Sequence, residues 1–231
     1  MDVRRGGRAF TLLEAVLAVS TIAILTAMTF GVFSRLREAA RQESCYGNGK
    51  QLGLAILQYA QDYDQRLPSI WEGKAGDQQP GGWMYYETLA GQREAAFDPS
   101  KGALYPYVRN VSAFVCLSDR SGARNSYAMN VLLAPDLYSN GLHLGRRLDE
   151  PGGRVEWNGS TIMLVEVSAG GSSMDGCFHP RRDECAYRHL GNTGLIFCDG
   201  HMYMQPRAAV MDVLSNAPNK NNWTFDPPPG R

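Results

Sequence analysis

A histidine and an aspartate near the end of the chain stand at a spacing that invites a chemical role. Nine residues separate His189 from Asp199, and Gly200 follows. Such a pair can transfer protons or bind a metal, but no nucleophile or third ligand accompanies it at a matching spacing. The sequence therefore favours structural roles: Asp199 and Gly200 form the turn of a two-residue hairpin, and His189 hydrogen-bonds a neighbouring loop. We predict no catalytic residues and no enzyme.

The five cysteines are a second set of reactive side chains. None forms a Cys-x-x-Cys pair or has zinc-finger spacing to a histidine, so the sequence predicts no metal site. Disulfides are expected if this part of the chain is exported. Cys177 and Cys185 are the first candidate pair because seven residues separate them, and Cys45 with Cys116 is the second. Cys198 lies in an apolar strand-like run, where we expect a buried thiol.

The elements that position these residues begin with an apolar N-terminal segment. Residues 10–33 contain a single charged side chain, Glu14, and as a helix these 24 residues extend over ~36 Å, enough to cross a bilayer. Arg4, Arg5 and Arg8 precede the segment, and basic flanks stay on the cytoplasmic side of a membrane. We therefore expect a single-pass membrane helix with its N-terminus in the cytoplasm.

Glu14 bears on whether the apolar helix is a simple membrane anchor or a helix that also packs in an assembly. A carboxylate near an apolar core costs about 2–3 kcal/mol unless it has a partner or lies close to the interface. If the helix packs among copies of itself, a positive group of a neighbouring helix can meet this carboxylate. The alternative is that Glu14 lies at the lipid headgroups and has no role in assembly.

The segment that follows, residues 34–66, continues as a helix with one apolar face. That face consists of Tyr46, Leu52, Ile56, Tyr59 and Tyr63. Gly47, Gly49 and Gly53 each weaken a helix by about 1 kcal/mol relative to Ala, so we expect a bend there, and a break into two helices is the alternative.

The remainder of the chain predicts a globular head of the α+β class. Strand-like runs occupy residues 113–116, 126–130, 161–167, 194–198 and 201–204. The second half of the long helix should pack on an antiparallel sheet of these strands. We assign residues 67–215 to the head and residues 216–231 to a poorly ordered tail. The 23 basic and 23 acidic residues cancel, so charge favours no nucleic-acid partner.

The N-terminal block carries a family resemblance. It reads RAFTLLE from Arg8 to Glu14, ahead of the apolar run. This block resembles the cleavage and methylation signal of type IV pilins and type II secretion pseudopilins. The resemblance implies that a prepilin peptidase removes residues 1–9 between Ala9 and Phe10, that Phe10 is then methylated, and that Glu14 becomes the fifth mature residue. The family usually has Gly where this chain has Ala9.

The head carries a second resemblance. The blocks that carry it are CYGNGKQLGLAILQYAQDYDQRLPS, GALYPYVRN, FVCLSD, SYAMN and HLGNTGLIFCDGH. They are similar to a large pseudopilin-like family marked by a His, nine residues and then Asp-Gly. In this chain His189, Asp199 and Gly200 match that motif.

Together the resemblances imply a structural subunit of a pilin-like filament, either a type II secretion pseudopilus or a type IV pilus-like fibre. The implied partners are copies of the chain, other pseudopilins, prepilin peptidase, the assembly machinery of the bacterial inner membrane, and the membrane itself, with the head on the periplasmic or extracellular side. The alternative is a membrane-anchored binding or adhesion protein with the same anchor. No cofactor is expected, but pseudopilins often bind calcium in a head loop, and Asp175, Asp183 or Asp199 are candidates for its oxygen ligands.

Overall fold

A computed structural model gives the architecture of the chain. It describes residues 11–68, 82–85, 97–133, 159, 161–168, 176–179 and 183–216. The α-helices are α1 (Leu12–Asp62), α2 (Tyr105–Val108) and α3 (Arg207–Asn216). The strands are β1 (Tyr127–Asn130), β2 (Ile162–Glu166), β3 (Cys177–Phe178), β4 (Asn192–Phe197) and β5 (Met202–Pro206). Short 3-10 helices span Pro99–Lys101, Val111–Phe114 and Val131–Leu133.

Two compact units divide the chain, Met1–Ala40 and Arg41–Arg231. Among the described residues, α1 is the one helix long and apolar enough to cross a membrane, and no other described residue buries the apolar window that meets this test. Within the second unit, Leu52, Ile56 and Tyr59 of α1 are buried as predicted. Tyr63 is half exposed, and its ring stacks on that of Tyr59 with the centroids 4.2 Å apart.

The sheet has the strand order β3-β1-β2-β4-β5. All neighbours pair antiparallel except β1 and β3, which are parallel. The sheet is therefore mixed, whereas the sequence predicted a purely antiparallel one. The α+β class is confirmed, with a long N-terminal helix followed by a five-stranded sheet.

Two apolar clusters cover the two faces of the sheet, because successive side chains of a strand point to opposite sides. On one face, Leu52 and Ile56 of α1 pack in a cluster with Trp83, Phe114, Tyr127 and Ile196. On the other face, α3 contributes Val210 to a cluster with Phe178 and Phe197.

One predicted local structure is wrong, and two elements were not predicted. Residues 113–116, predicted as a strand, belong instead to the 3-10 helix Val111–Phe114 and the bend after it, because the Asn110 side chain accepts a hydrogen bond from the Ser112 N–H and caps that helix (3.0 Å). The short strand β3 and the helix α3 were missed. No break interrupts α1 at Gly47, Gly49 or Gly53.

The predicted two-residue turn at Asp199 and Gly200 is also wrong. The Phe197 N–H donates to the His201 carbonyl (2.9 Å), so three residues separate this hydrogen-bonded pair, and of these only Gly200 has a positive φ. A true two-residue turn lies just before β4, where Leu190 (φ 53°) and Gly191 (φ 89°) connect His189 to Asn192. Both central residues are left-handed there, as a type I′ turn requires.

Candidate functional site

Glu14 forms a capping box with Thr11 at the start of α1. The Thr11 N–H donates to Glu14 Oε2 (3.0 Å), and the Glu14 N–H donates to Thr11 Oγ1 (3.3 Å). The Thr11 hydroxyl donates to the same carboxylate oxygen (2.9 Å). This reciprocal pattern satisfies two backbone donors that a helix start leaves without partners. Glu14 is therefore positioned by its own helix, at the apolar end of the chain.

The hydroxyl groups of the apolar half of α1 are satisfied within the helix. Ser20 donates to the Val16 carbonyl (2.8 Å), and Thr26 donates to the Ile22 carbonyl (2.7 Å). Thr21 and Thr29 bond in the same way to carbonyls three or four residues earlier. Because every polar group in hydrocarbon must find a partner inside the protein, this pattern suits a helix in a membrane or in an apolar bundle.

The sequence-predicted cleavage site, Ala9 and Phe10, lies outside the described residues, as does the leader. The tail assigned to residues 216–231 does too, except for Asn216, the last residue of α3.

Within the second unit, four side chains with metal-ligating atoms converge in the core. They are Cys45, Cys116, Glu166 and His189, all buried, with their ligand atoms within 4.8 Å of one another. The two sulfurs are 2.8 Å apart, and Cys116 Sγ lies 3.1 Å from His189 Nε2. His189 Nε2 lies 3.5 Å from Glu166 Oε1. The sequence paired Cys45 with Cys116 but placed neither Glu166 nor His189 beside them.

Each of these side chains comes from a different element. Cys45 lies on α1, and Cys116 follows the 3-10 helix Val111–Phe114, where its N–H donates to Ser126 Oγ (3.0 Å). Glu166 is the last residue of β2. His189 begins the tight turn into β4, so the left-handed residues after it direct the chain back along the sheet. The cluster therefore exists only when helix, loop and sheet are assembled.

The pKa values of three members of the cluster, Cys45, Cys116 and His189, are shifted from their ordinary values. The hydrogen bond between the two thiols lowers the pKa of Cys45 and raises the pKa of Cys116, and burial raises the pKa of Cys116 further. Burial acts to lower the pKa of His189, but its hydrogen bonds with Cys116 and Glu166 outweigh burial and raise that pKa to about 10.

The Glu166 carboxylate is the unusual member of the cluster. It is fully buried, and its ion-pair partner is the His189 ring, whose Nε2 lies 3.5 Å from Glu166 Oε1. Among the described residues, neither carboxylate oxygen makes a hydrogen bond of ordinary geometry. Gly194 of β4 lies beside it: a methyl group there would come within 3.1 Å of Glu166 Oε1 and within 2.3 Å of Met202 Cε. A buried carboxylate with one long ion-pair contact is costly, because its charge is only partly compensated.

His189 and Asp199, the two titratable residues of the His-x9-Asp-Gly motif, lie in different surroundings. His189 belongs to the buried cluster, whereas the Asp199 side chain is exposed in the β4–β5 turn and accepts from the His201 N–H (3.0 Å), with a further contact to the His201 ring. Gly200 combines a positive φ of 84° with a close approach to α1, where a methyl group would come within 2.8 Å of Leu57 Cδ1. The glycine is thus required by backbone geometry and packing.

The remaining cysteines, Cys177, Cys185 and Cys198, form no disulfide. Cys177 belongs to the apolar cluster on the α1 face of the sheet and Cys185 to the cluster on the α3 face, so the structure does not bring the first predicted disulfide pair together. Cys198 is a buried thiol, as predicted.

The candidate calcium ligands are separated as well. Asp175 lies outside the described residues. Asp183 is buried and accepts from the His179 N–H (2.7 Å), while Asp199 is engaged at the β4–β5 turn. In the described part of the chain, neither belongs to a group of three or more potential metal ligands.

The fold and the apolar N-terminal helix together indicate the class of protein. A long N-terminal helix with an apolar first half, followed by a mixed sheet, is consistent with the pilin-like fold. A profile of the family described as "Protein of unknown function (DUF1559)", which is typically found in pilin-like and prepilin-type proteins, matches residues 34–160, more than half of the chain. The chain belongs to this DUF1559 family. None of the curated proteins and none of the solved structures matches it significantly.

Proposed function

We propose that this chain is a structural subunit of a pilin-like filament that assembles through its N-terminal helix after prepilin peptidase removes residues 1–9. The observation that carries the proposal is the apolar half of α1. Large apolar side chains such as Leu13, Ile22 and Phe30 are exposed along it, and its one carboxylate, Glu14, lies in its first turn. A surface of this kind needs a lipid or protein environment to cover it.

In this proposal the apolar half of α1 is covered first by lipid and later by other subunits. The helix first holds the subunit in the bacterial inner membrane, with the N-terminus in the cytoplasm and the head on the periplasmic or extracellular side. It then packs against the same helix of other subunits, which replace the lipid. The partners are copies of this chain, other pseudopilins and the inner-membrane assembly machinery, and no catalytic activity is involved.

Mass spectrometry of the chain in its own host tests the proposal. Surface filaments are sheared from cells, and the filament and membrane fractions are compared. We expect the chain in the filament fraction with methylated Phe10 as its first residue. A chain found only in the membrane fraction as a monomer, with the same processed N-terminus, would favour the anchored binding or adhesion protein instead. A chain that still begins at Met1 in both fractions would overturn the processing step as well.

A further inference from the structure

We propose that Cys45, Cys116, Glu166 and His189 form a binding site for one zinc ion that fastens α1 to the sheet of the head. The inference does not rest on the proposed function. Two thiolates, an imidazole nitrogen and a carboxylate oxygen are the donors that zinc takes in four-coordinate protein sites. Two sulfur ligands favour zinc over magnesium or calcium, which bind oxygen. With four protein ligands the site has no open position, so its role is structural.

The buried charge is the first argument for an ion. Glu166 is fully buried, and within the described residues its carboxylate makes no hydrogen bond of ordinary geometry and has the His189 ring, 3.5 Å away, as its ion-pair partner. Zinc would give this carboxylate a closer, doubly charged partner. Two thiolates, one carboxylate and a neutral imidazole around Zn²⁺ leave a net charge of about −1 at the site, by the ordinary charges of these groups. The Leu117 N–H also donates to Cys45 Sγ (3.2 Å), and such a bond stabilises a thiolate ligand.

A disulfide between Cys45 and Cys116 is the competing account. It would explain why the two sulfurs lie together, but it would leave the Glu166 carboxylate with the His189 ring, 3.5 Å away, as the one ion-pair partner that the described residues give it. It would also not explain why His189 Nε2 lies 3.1 Å from Cys116 Sγ, because sulfur is a weak hydrogen-bond acceptor. The convergence of four donor atoms, rather than two, favours the metal.

The position of the site predicts what zinc does for the protein. Its ligands come from α1, the segment after a 3-10 helix, the end of β2 and the turn before β4. Since no such arrangement exists in the unfolded chain, binding energy becomes folding energy. The ion therefore holds the second half of α1 to the head.

The decisive measurements use the full-length chain in detergent, incubated with zinc sulfate and then passed over a chelating resin. Elemental analysis should give one zinc per chain. X-ray absorption at the zinc edge should show two sulfur ligands at about 2.3 Å and two nitrogen or oxygen ligands at about 2.0–2.2 Å. Metal-free protein with an intact Cys45–Cys116 disulfide in peptide mapping would overturn the proposal, and so would bound zinc without sulfur ligands.

Variants assign the ligands. Cys116→Ser and Glu166→Gln should each weaken zinc binding at least about tenfold. Cys198→Ser is the matched control, because Cys198 is also a buried thiol in the α1-face cluster but is not part of the site, and it should bind zinc as the unaltered chain does. An equal loss in the control would contradict the assignment. If the ligand variants fail to fold, the absorption spectrum of the unaltered chain still decides.

Discussion

Glu14 has an observed local role at the start of α1 and, in the proposed filament, a second role in assembly. Their reciprocal hydrogen bonds cap α1, which by itself would account for a Glu at this position. A capped carboxylate still carries its charge, so it remains able to pair with the N-terminal amine of a neighbouring subunit. Substitutions that separate the charge from the cap distinguish the two roles.

Glu14→Gln retains a side-chain acceptor for the Thr11 N–H but removes the charge. We expect processed, membrane-inserted protein whose filament yield falls at least about tenfold, since losing a desolvated ion pair worth more than about 1.4 kcal/mol has that effect. Thr11→Ala is the control: it costs about 1 kcal/mol of helix capping but keeps the charge, and should leave the yield near normal. Quantitative blotting of sheared filaments measures both. A normal yield from Glu14→Gln would show that Glu14 acts only as a cap.

Asp119 is a buried, closely paired carboxylate in the described part of the head. Its Oδ2 accepts from Arg188 Nη2 (2.8 Å) and from Ser126 Oγ (2.7 Å), with only 4% of the Asp119 side chain exposed. Burial acts to raise the pKa of Asp119, but the hydrogen bonds from Ser126 and Ser121 and the charge of Arg188 outweigh it and lower that pKa. A lowered folded pKa means that this carboxylate stabilises the fold above its unfolded pKa of about 3.9 and loses that effect as the pH falls through the folded value.

Asp119→Asn should therefore lower the free energy of unfolding by about 2–4 kcal/mol at pH 7, because it leaves the Arg188 charge without its partner. The difference from the unaltered chain should shrink as the pH falls below about 4. Asp98→Asn is the control: Asp98 pairs with the exposed Lys101 at 3.3 Å, and its loss should cost less than about 1 kcal/mol. Denaturant unfolding of the full chain in detergent, followed by near-UV circular dichroism, measures these values. A pH-independent difference for Asp119→Asn would contradict this account.

The buried cluster of Cys45, Cys116, Glu166 and His189 could not be predicted from the sequence. Cys45 and Cys116 are 71 positions apart, and Cys116 and His189 are 73 positions apart, so no local spacing connects them. Glu166 ends an apolar strand, where a single carboxylate carries no recognisable pattern. By contrast, Glu14 could be singled out because it is the only charge in an apolar run. A signal for the cluster was present only in the pairing of Cys45 with Cys116 as disulfide candidates.

At the scale of elements, the glycines of α1 have a different role from the predicted one. Gly53 lies against the β4–β5 turn, where a methyl group would come within 2.7 Å of the Gly200 carbonyl oxygen, while a methyl group at Gly47 would meet nothing within 4 Å. Helix propensity alone treated both as weak points. Packing explains Gly53: helix and turn approach through their backbones, and such a contact between distant segments leaves no periodic signal in the sequence.

Gly53→Ala and Gly47→Ala should therefore change stability in opposite directions. The first forces backbone atoms apart and should lower the free energy of unfolding by about 1–3 kcal/mol. The second removes only a helix-weakening residue and should raise it by about 1 kcal/mol. Thermal unfolding of the full chain in detergent compares them. Stabilisation by Gly53→Ala would show that the close contact between α1 and the turn is wrong.

The strands whose signals are local in the sequence were predicted, whereas strand pairing that depends on distant segments was not. Strands β1, β2, β4 and β5 were predicted to within two residues at each end because their apolar runs are long enough to stand out. The two-residue β3 was missed, since its pairing with β1 depends on a partner far along the chain. Residues 113–116 were misassigned because an asparagine cap outweighed their strand propensity.

At the scale of the whole molecule, the order of a long helix and then a sheet could be predicted because the N-terminal hydrophobicity is concentrated in one run. The family membership agrees with a pilin-like protein and leaves the filament itself as the central proposal. In this account the apolar half of α1 builds the filament core, and the head, fastened to the second half of α1, forms its surface.

Cryo-electron microscopy of filaments sheared from the native host tests this account most directly. We predict a helical assembly in which residues 12–33 of many subunits pack in the core and each Glu14 carboxylate lies within hydrogen-bonding distance of the N-terminal amine of a neighbour. Filaments that lack this chain, while the processed protein is recovered as isolated monomers in the membrane, would contradict it.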